Sequence, residues 1–145
     1  MSVLVRLAKL EDEQRCSELL EVLAKTTLDS HVIFDSETFK HLIYNERGSL
    51  VVAEESGNVL GMVSISFNIA LRYNGEYCQL EELVVDPVAR GKNIGGLLIE
   101  ETIRLAKVRG CKECGLYIPE STKHNQGLYE KYGFTKVGEE MRQPL

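Results

Sequence analysis

Apolar positions along the chain follow two rhythms, one of helices and one of strands. Val3–Leu7 is a short apolar run of strand length. From Asp12 to Lys25, the apolar side chains Cys16, Leu19, Leu20, Leu23 and Ala24 recur every three or four residues, which predicts an amphipathic helix. Asp29–Asp35 is a connection. Asp35 or Ser36 can cap a second helix, with Glu37 in its first turn, Phe39, Leu42 and Ile43 on its apolar face, and Gly48 at its end.

The middle of the chain reads as strands. Ser49–Glu54 and Asn58–Leu71 flank the turn signal Ser56-Gly57-Asn58. The stretch Arg72-Tyr73-Asn74-Gly75-Glu76 carries Asn-Gly, a strong hairpin signal, and leads into a fourth strand, Tyr77–Val85. That strand stops at Asp86-Pro87, because proline has no N–H to extend a ladder. A glycine-bearing loop from Arg90 to Gly96 opens a helix running to about Val108. Ile94, Leu97, Leu98 and Leu105 lie on one side of it, Glu100, Arg104 and Lys107 on another, and Gly110 closes it. A fifth strand, Cys111–Ile118, ends at Pro119. A short helix, His124–Tyr132, ends at Gly133, and Phe134–Met141 is expected as a last strand.

The predicted order is therefore β-α-α-β-β-β-α-β-α-β. Hairpins make most of the sheet antiparallel, and the strand–helix–strand unit near the C-terminal half requires a right-handed parallel crossover. The fold class is α/β, an α+β mixed sheet with helices on both faces, expected as one domain over residues 1–145. No repeat, low-complexity tract or linker interrupts it.

Composition narrows the function. With 43% hydrophobic and 27% charged residues in 145, the chain can bury a core and reads as a soluble globular domain. No apolar run approaches the ~20 residues of a membrane span. The N-terminus lacks a basic region followed by a long apolar stretch, so a cytoplasmic location and no membrane partner are expected. A net charge of −5 disfavours nucleic acid as a partner and mildly favours cationic ones. Cys111 and Cys114 form a CxxC, but two residues three apart on a strand point to opposite faces, and no second pair completes a tetrahedral site. Structural thiols and no metal are expected.

The chemistry is concentrated between Leu83 and Leu98, where an apolar strand feeds a glycine-rich turn and the turn feeds a helix. The first backbone N–H groups of a helix have no intrahelical partner, and the helix dipole adds positive potential there. Glycines let a phosphate approach these amides, and Arg90 and Lys92 add formal charge, which suits a pyrophosphate. The nucleoside-triphosphate loop is absent, and Gly91, Gly95 and Gly96 do not match the dinucleotide spacing.

Two segments carry a family resemblance. After a strand ending Val85-Asp86-Pro87 comes Arg90-Gly91-Lys92-Asn93-Ile94-Gly95, and further on stands Leu128-Tyr129-Glu130-Lys131-Tyr132-Gly133-Phe134. In that order, separated by a strand, they resemble the two signatures of the GNAT superfamily of acyl-CoA N-acyltransferases across essentially the whole chain. Glu81-Glu82-Leu83-Val84-Val85 and the loop asparagine Asn93 are further similar to bacterial aminoalkylphosphonate N-acetyltransferases.

The resemblance implies a splayed central sheet with acetyl-CoA, the acyl donor, in the gap between the strands ending at Val85 and Ile118. Backbone groups of Leu83, Val84 and Val85 would hold the pantetheine arm and the thioester oxygen. Arg90, Gly91, Lys92, Asn93, Ile94, Gly95 and Gly96 would hold the pyrophosphate. Asn125 is the nearest match to a family asparagine whose register position is taken by Thr122. The implied activity is acetyl transfer to the primary amine of a small molecule, aminoalkylphosphonates among the candidates, by direct attack. Acetylation of a protein lysine or N-terminus, or a non-catalytic acetyl-CoA sensor, are the alternatives. A homodimer is expected from the family.

For the proton transfers, Tyr129 is the candidate general acid, against the plain reading of a packed core tyrosine. Glu82 is the candidate base through water, against a structural ion pair. Alternation on the strand is expected to send Glu81 and Glu82 to opposite faces, with one lining the acceptor pocket. His31, Tyr73 and Glu81 are candidate acceptor-side residues.

Overall fold

The computed structural model describes residues 2–29 and 32–145. Strands β1 (Leu4–Leu7), β2 (Gly48–Glu55), β3 (Asn58–Ala70), β4 (Gly75–Val85) and β5 (Cys114–Leu116) form one sheet in that spatial order. The first four pair antiparallel, and β5 lies parallel to β4. The helices are α1 (Glu13–Thr27), α2 (Ser36–Ile43), α3 (Ile94–Arg109) and α4 (Gln126–Lys131). Short 3-10 turns at Leu10–Asp12, Leu71–Tyr73, Pro87–Ala89 and Glu120–Asn125 join them.

The central strands are apolar on both faces because helices cover both. Leu50, Val51, Val52 and Ala53 are all buried, and strand alternation sorts them. Val51 and Ala53 join Val63 and Ile65 against Ile94, Leu98 and Ala106 of α3. Leu50 and Val52 join Met62 and Val84 against Cys16 and Leu19 of α1 and Phe39 of α2. Leu19, Ile65, Ile94, Leu98 and Ile99 are each almost fully buried, and each such side chain contributes roughly 1.5–3 kcal/mol of transfer free energy.

Local chemistry explains the element ends. The Asp35 carboxylate accepts from the Thr38 N–H at 2.9 Å and starts α2, as its sequence predicts. Ser56 and Gly57 both have left-handed backbones (φ 53° and 81°), the conformation of a tight β2–β3 hairpin. The β3–β4 reversal is longer than a two-residue turn: a 3-10 turn at Leu71–Tyr73 precedes Asn74, which supplies the left-handed residue.

Three expectations are corrected. Phe134–Met141 forms no strand. A strand is defined by its partner, and this segment has none, with Val137 and Met141 exposed. The fifth strand is three residues long instead of eight, because Cys111–Glu113 complete the turn out of α3. Through that turn the Cys111 N–H reaches the Ala106 carbonyl and the Lys112 N–H the Glu76 carbonyl. Cys111 therefore precedes the strand, and it and Cys114 pack against the same core, not on opposite faces. Among the described residues no three His, Cys, Asp or Glu side chains are grouped as a metal ion requires.

Gly61 of β3 sets how closely α3 approaches the sheet. A Cβ there would lie 2.8 Å from Ile94 Cγ2 and 3.0 Å from the Val84 carbonyl. Gly61→Ala is expected to lower stability by about 1–3 kcal/mol through overpacking, measured by denaturant titration. An unchanged midpoint would mean that α3 can retreat freely.

Candidate active site

The site begins where a ladder stops. β4 pairs with β3 along its whole length, from Gly75 opposite Ala70 to Val85 opposite Gly61. On its other edge it pairs with β5 only at Cys78–Cys114, Gln79–Gly115 and Leu80–Leu116. From Glu81 to Val85, that edge of β4 has no strand partner among the described residues. Unpaired backbone N–H and C=O groups next to a core need partners, and Leu83, Val84 and Val85 offer theirs to the gap. The closed end of the gap is the Leu80–Leu116 pair, and the far end of that short ladder holds the Cys78 and Cys114 thiols. Their hydrogen bond, together with burial, pushes the Cys78 thiol up and leaves it neutral.

A bulge lies where the gap begins. Ser64 faces Glu82 but Ile65 faces Leu80, so Glu81 is the extra residue on β4. Ser64 and Ser66, two apart on β3, point to one face. The Ser64 hydroxyl donates to the Glu82 carboxylate, and the Ser66 hydroxyl donates to that of Glu81 at 2.6 Å. Both carboxylates therefore share the face on which Met62 and Val84 meet α1 and α2. The expected division of Glu81 and Glu82 between opposite faces is thus incorrect, because alternation fails at a bulge. Burial, assisted by the Glu81 charge, raises the Glu82 carboxyl above its ordinary range, and the Ser64 hydrogen bond partly offsets this. Among the described residues neither carboxylate is within ion-pair distance of a cation.

Beyond Val85 the chain is anchored before it turns. The Asp86 carboxylate accepts from the Val88 N–H at 3.0 Å and from Arg15 of α1 at 2.8 Å, and both hold it below the usual carboxylate range. Arg15 also donates to the Val59 carbonyl through Nε and Nη2, at 3.2 and 2.7 Å. One guanidinium thus ties α1 to the start of β3 and the end of β4.

After the 3-10 turn Pro87–Ala89, Gly91 (φ 88°) and Asn93 (φ 58°, ψ 31°) take left-handed backbones, and α3 begins. Asparagine is one of the few non-glycine residues that accept this conformation, which suits Asn93 to this turn. Its side chain makes no cap hydrogen bond, so the amides of Ile94, Gly95 and Gly96 keep the positive end of a 16-residue helix. A Cβ on Gly91 would meet nothing within 4 Å. Arg90 is exposed, while Lys92 pairs with Glu55 at 2.6 Å. The open β4 edge, the glycine turn and the uncapped helix start form a continuous cradle that fits an extended arm ending in a pyrophosphate.

The second motif is a helix stop. Gly133 has φ 94°, its N–H reaches the Glu130 carbonyl at 3.0 Å, and the Phe134 N–H reaches the Tyr129 carbonyl at 3.2 Å. This pair of bonds is a Schellman motif, and its usual apolar contact is here Tyr129 against Phe134, with ring centroids 6.1 Å apart. The motif fixes Tyr129, whose ring packs with Leu83 and Val85 against the α3-side core. Burial pushes its hydroxyl up, so the phenol stays protonated. α4 leans on the start of α3: Leu128 lies 3.6 Å from where a Gly95 Cβ would stand, and the Tyr132 hydroxyl and Asn93 amide fill the space a Gly96 side chain would need.

The structure thus brings together Glu81, Glu82, Leu83, Val84, Val85, the loop Arg90–Gly96 and Tyr129. Asn125 is half-buried at the N-terminus of α4, and Thr122 is buried with its hydroxyl on the Pro119 carbonyl. Tyr73 stands apart. Its hydroxyl bonds Glu113 at 2.7 Å at the hairpin end of β4, roughly 30 Å of strand from Val85 at ~3.3 Å per residue. His31 lies outside the described residues. Sequence reasoning did not single out Ser64, Ser66, Arg15 or Tyr132. Only the Ser-Ile-Ser alternation opposite Glu81-Glu82 signalled any of them.

A strand splayed beside a glycine turn and a helix start is the architecture of an acyl-CoA-dependent acyltransferase. The family model described as Acetyltransferase (GNAT) family matches residues 10–134, and the chain belongs to that family, whose enzymes take acetyl-CoA as the acyl donor. It is 32% identical over 97 residues to an uncharacterized N-acetyltransferase of Methanocaldococcus jannaschii, covering 66% of this chain and 43% of that protein. It is 28% identical over 93 residues to the glucosamine 6-phosphate N-acetyltransferase of Trypanosoma brucei brucei, covering 63% and 61%. The chain spans less than two thirds of the length of these relatives. Its fold superposes on a crystal structure of a transcriptional regulator from Bacillus halodurans with a TM-score of 0.88 at 25% identity, covering 99% and 100% of the two chains. No described helix is long and apolar enough to cross a membrane.

If the left-handed turn shapes the loop, Asn93→Gly is expected to retain acetyl-CoA affinity. Asn93→Val is expected to weaken it about tenfold, since a β-branched residue there costs about 1–2 kcal/mol. Calorimetric titration measures both, and equal affinities for the two variants would remove the turn from the binding site.

Proposed function

We propose that this chain transfers an acetyl group from acetyl-CoA to the primary amine of a small molecule, by direct attack of the amine on the thioester. The carrying observation is the free β4 edge at Leu83–Val85, continuous with the uncapped start of α3 and flanked by two carboxylates that no cation among the described residues pairs with.

Bound acetyl-CoA supplies the activated acyl group and leaves as the free thiol. The chain's residues handle position and protons. Amides of Ile94, Gly95 and Gly96 hold the pyrophosphate at the helix start. Backbone groups of Leu83–Val85 align the arm and polarise the carbonyl. Glu81 and Glu82 draw in the acceptor as its ammonium, and Glu82 then takes a proton from it, directly or through a water. A carboxylate raised by burial accepts that proton more readily than an exposed one. Tyr129, held protonated, donates to the sulfur as negative charge develops there. Its raised hydroxyl favours a hydrogen bond to that charge over net loss of its own proton, because a thiol is the stronger acid. The second proton, which the attacking nitrogen releases as the amide forms, goes to the sulfur through Tyr129 or solvent, so that CoA leaves as the thiol.

Aminoalkylphosphonates and amino sugar phosphates are the finer acceptor candidates. Two adjacent carboxylates repel an anion beside them, so the phosphate or phosphonate end of such an acceptor would have to lie away from Glu81 and Glu82.

A thiol-release assay over small amines with and without an anionic group, diamines and short peptides tests the activity. Turnover on a small amine is expected. Turnover confined to peptides would assign a protein acceptor, and tight acetyl-CoA binding with no turnover on any amine would overturn the enzyme reading. Tyr129→Phe should lower kcat roughly 100-fold with acetyl-CoA affinity nearly intact, and an unchanged kcat would remove Tyr129 from the mechanism. Activity should rise with pH through the ionisation of Glu82, at a pH above the ordinary carboxylate range, and Glu82→Gln should abolish that limb.

A further inference from the structure

The Ser64 hydroxyl lies on β3, in a strand otherwise filled by Val59, Met62, Val63, Ile65 and Phe67, and it is 4% exposed. A buried hydroxyl is costly unless its hydrogen bonds are made, and both bonds found here go to one residue. Ser64 Oγ accepts from the Glu82 backbone N–H at 3.1 Å and donates to the Glu82 carboxylate. The first bond holds the Glu82 backbone beside the register shift at Glu81. The second is not needed to satisfy the backbone and acts only on the carboxylate. Ser66 and Glu81 repeat the side-chain half of this arrangement in an exposed setting, where water competes, with Asn68 Nδ2 donating to Ser66 Oγ at 3.0 Å.

We infer that Ser64 is a positioning residue of the active site, acting through Glu82: its hydroxyl fixes the direction of the carboxylate and stabilises its charged form. The inference rests on Glu82 as the base. Among the described residues, two side chains act on that carboxylate. Glu81, on its own strand, opposes its ionisation, and Ser64 favours it. β3 contributes no charged side chain there. Of the two helices packed on that face, α1 carries Cys16, whose thiol burial pushes up to about 12, and Arg15, which is bonded to Val59, Glu18 and Asp86, while α2 carries Glu37, Lys40 and His41; among the described residues none of these is hydrogen-bonded or ion-paired to Glu82. Tyr129 packs on the opposite face with the α3-side core. With Glu81 adding to the burial penalty, the serine is the group that favours the charged, proton-accepting form of Glu82.

The test is the pH dependence of kcat/KM for the wild type, Ser64→Ala, Ser64→Thr, Glu82→Gln and the double variant S64A/E82Q, using an amine that turns over in the panel. Ser64→Ala is expected to move the acidic limb to higher pH and to lower kcat/KM at pH 7 about tenfold, the worth of one charge-assisted hydrogen bond. The KM for acetyl-CoA should stay unchanged. Ser64→Thr should restore the limb, and S64A should cost nothing further in the E82Q background. An unmoved limb in Ser64→Ala, or a full additional loss in the double variant, would overturn the inference. A limb that survives Glu82→Gln would instead overturn the base assignment, separating the two failures. Calorimetric titration with acetyl-CoA reports whether Ser64→Ala is folded. If it is not, Ser64→Cys, with its weaker donor, must show an upward limb shift of the same sign, and an unshifted limb there overturns the inference equally.

Discussion

Everything functional in this molecule depends on β4 being fully paired on one edge and half-paired on the other. Its antiparallel ladder with β3 holds it rigid from Gly75 to Val85, while its parallel ladder with β5 ends at Leu80. A strand whose ladder stops halfway along one edge leaves an unmet demand for hydrogen bonds, and the family's donor molecule carries amides and a thioester that can meet it. The same break coincides with the bulge, so the place where backbone groups become free is also where two carboxylates turn onto one face. The proposed cradle and the proposed proton acceptor are two consequences of one irregularity in pairing.

Such a break would be a weakness if its borders could move, and both borders are tied. Arg15 bridges α1, Val59 and Asp86, fixing the exit of β4 before the glycine turn. On the opposite face, the Schellman stop at Gly133 folds Phe134 back onto Tyr129, and Tyr132 reaches across to the start of α3. The short α4 could not hold its own orientation by helix propensity alone. It is held by this reversal and by contact with Gly95 and Gly96, which explains why glycines there serve packing as well as phosphate access.

Much of this was legible in the sequence, and the losses have physical causes. The periodicity of Cys16–Ala24, the Asp35 cap, the two hairpins, the parallel crossover and the glycine loop all follow from local rules, and the structure contains each. Asn93 in a left-handed backbone follows from the same rules. What failed was whatever depends on a partner strand. Phe134–Met141 has strand chemistry but no neighbour, and Cys111–Glu113 is spent in a turn. The common face of Glu81 and Glu82 was hidden because a bulge adds one residue to one strand and leaves no mark in the alternation of that strand alone. Its trace lay on β3, in Ser64 and Ser66, and became readable only once the register was known. Tyr73 shows the converse, since a polar loop residue near the motif in sequence lies at the far end of the strand in space.

The central claim is that the free β4 edge and the start of α3 together form the donor site. Amide hydrogen exchange with and without acetyl-CoA tests it most directly, because it reads these backbone groups themselves. We expect slowed exchange over Leu83–Val85 and Ile94–Gly96 in the complex, with β1 and the Leu71–Asn74 reversal unchanged. Binding that leaves both of those segments unprotected, or protects only residues elsewhere, would contradict the donor site described here.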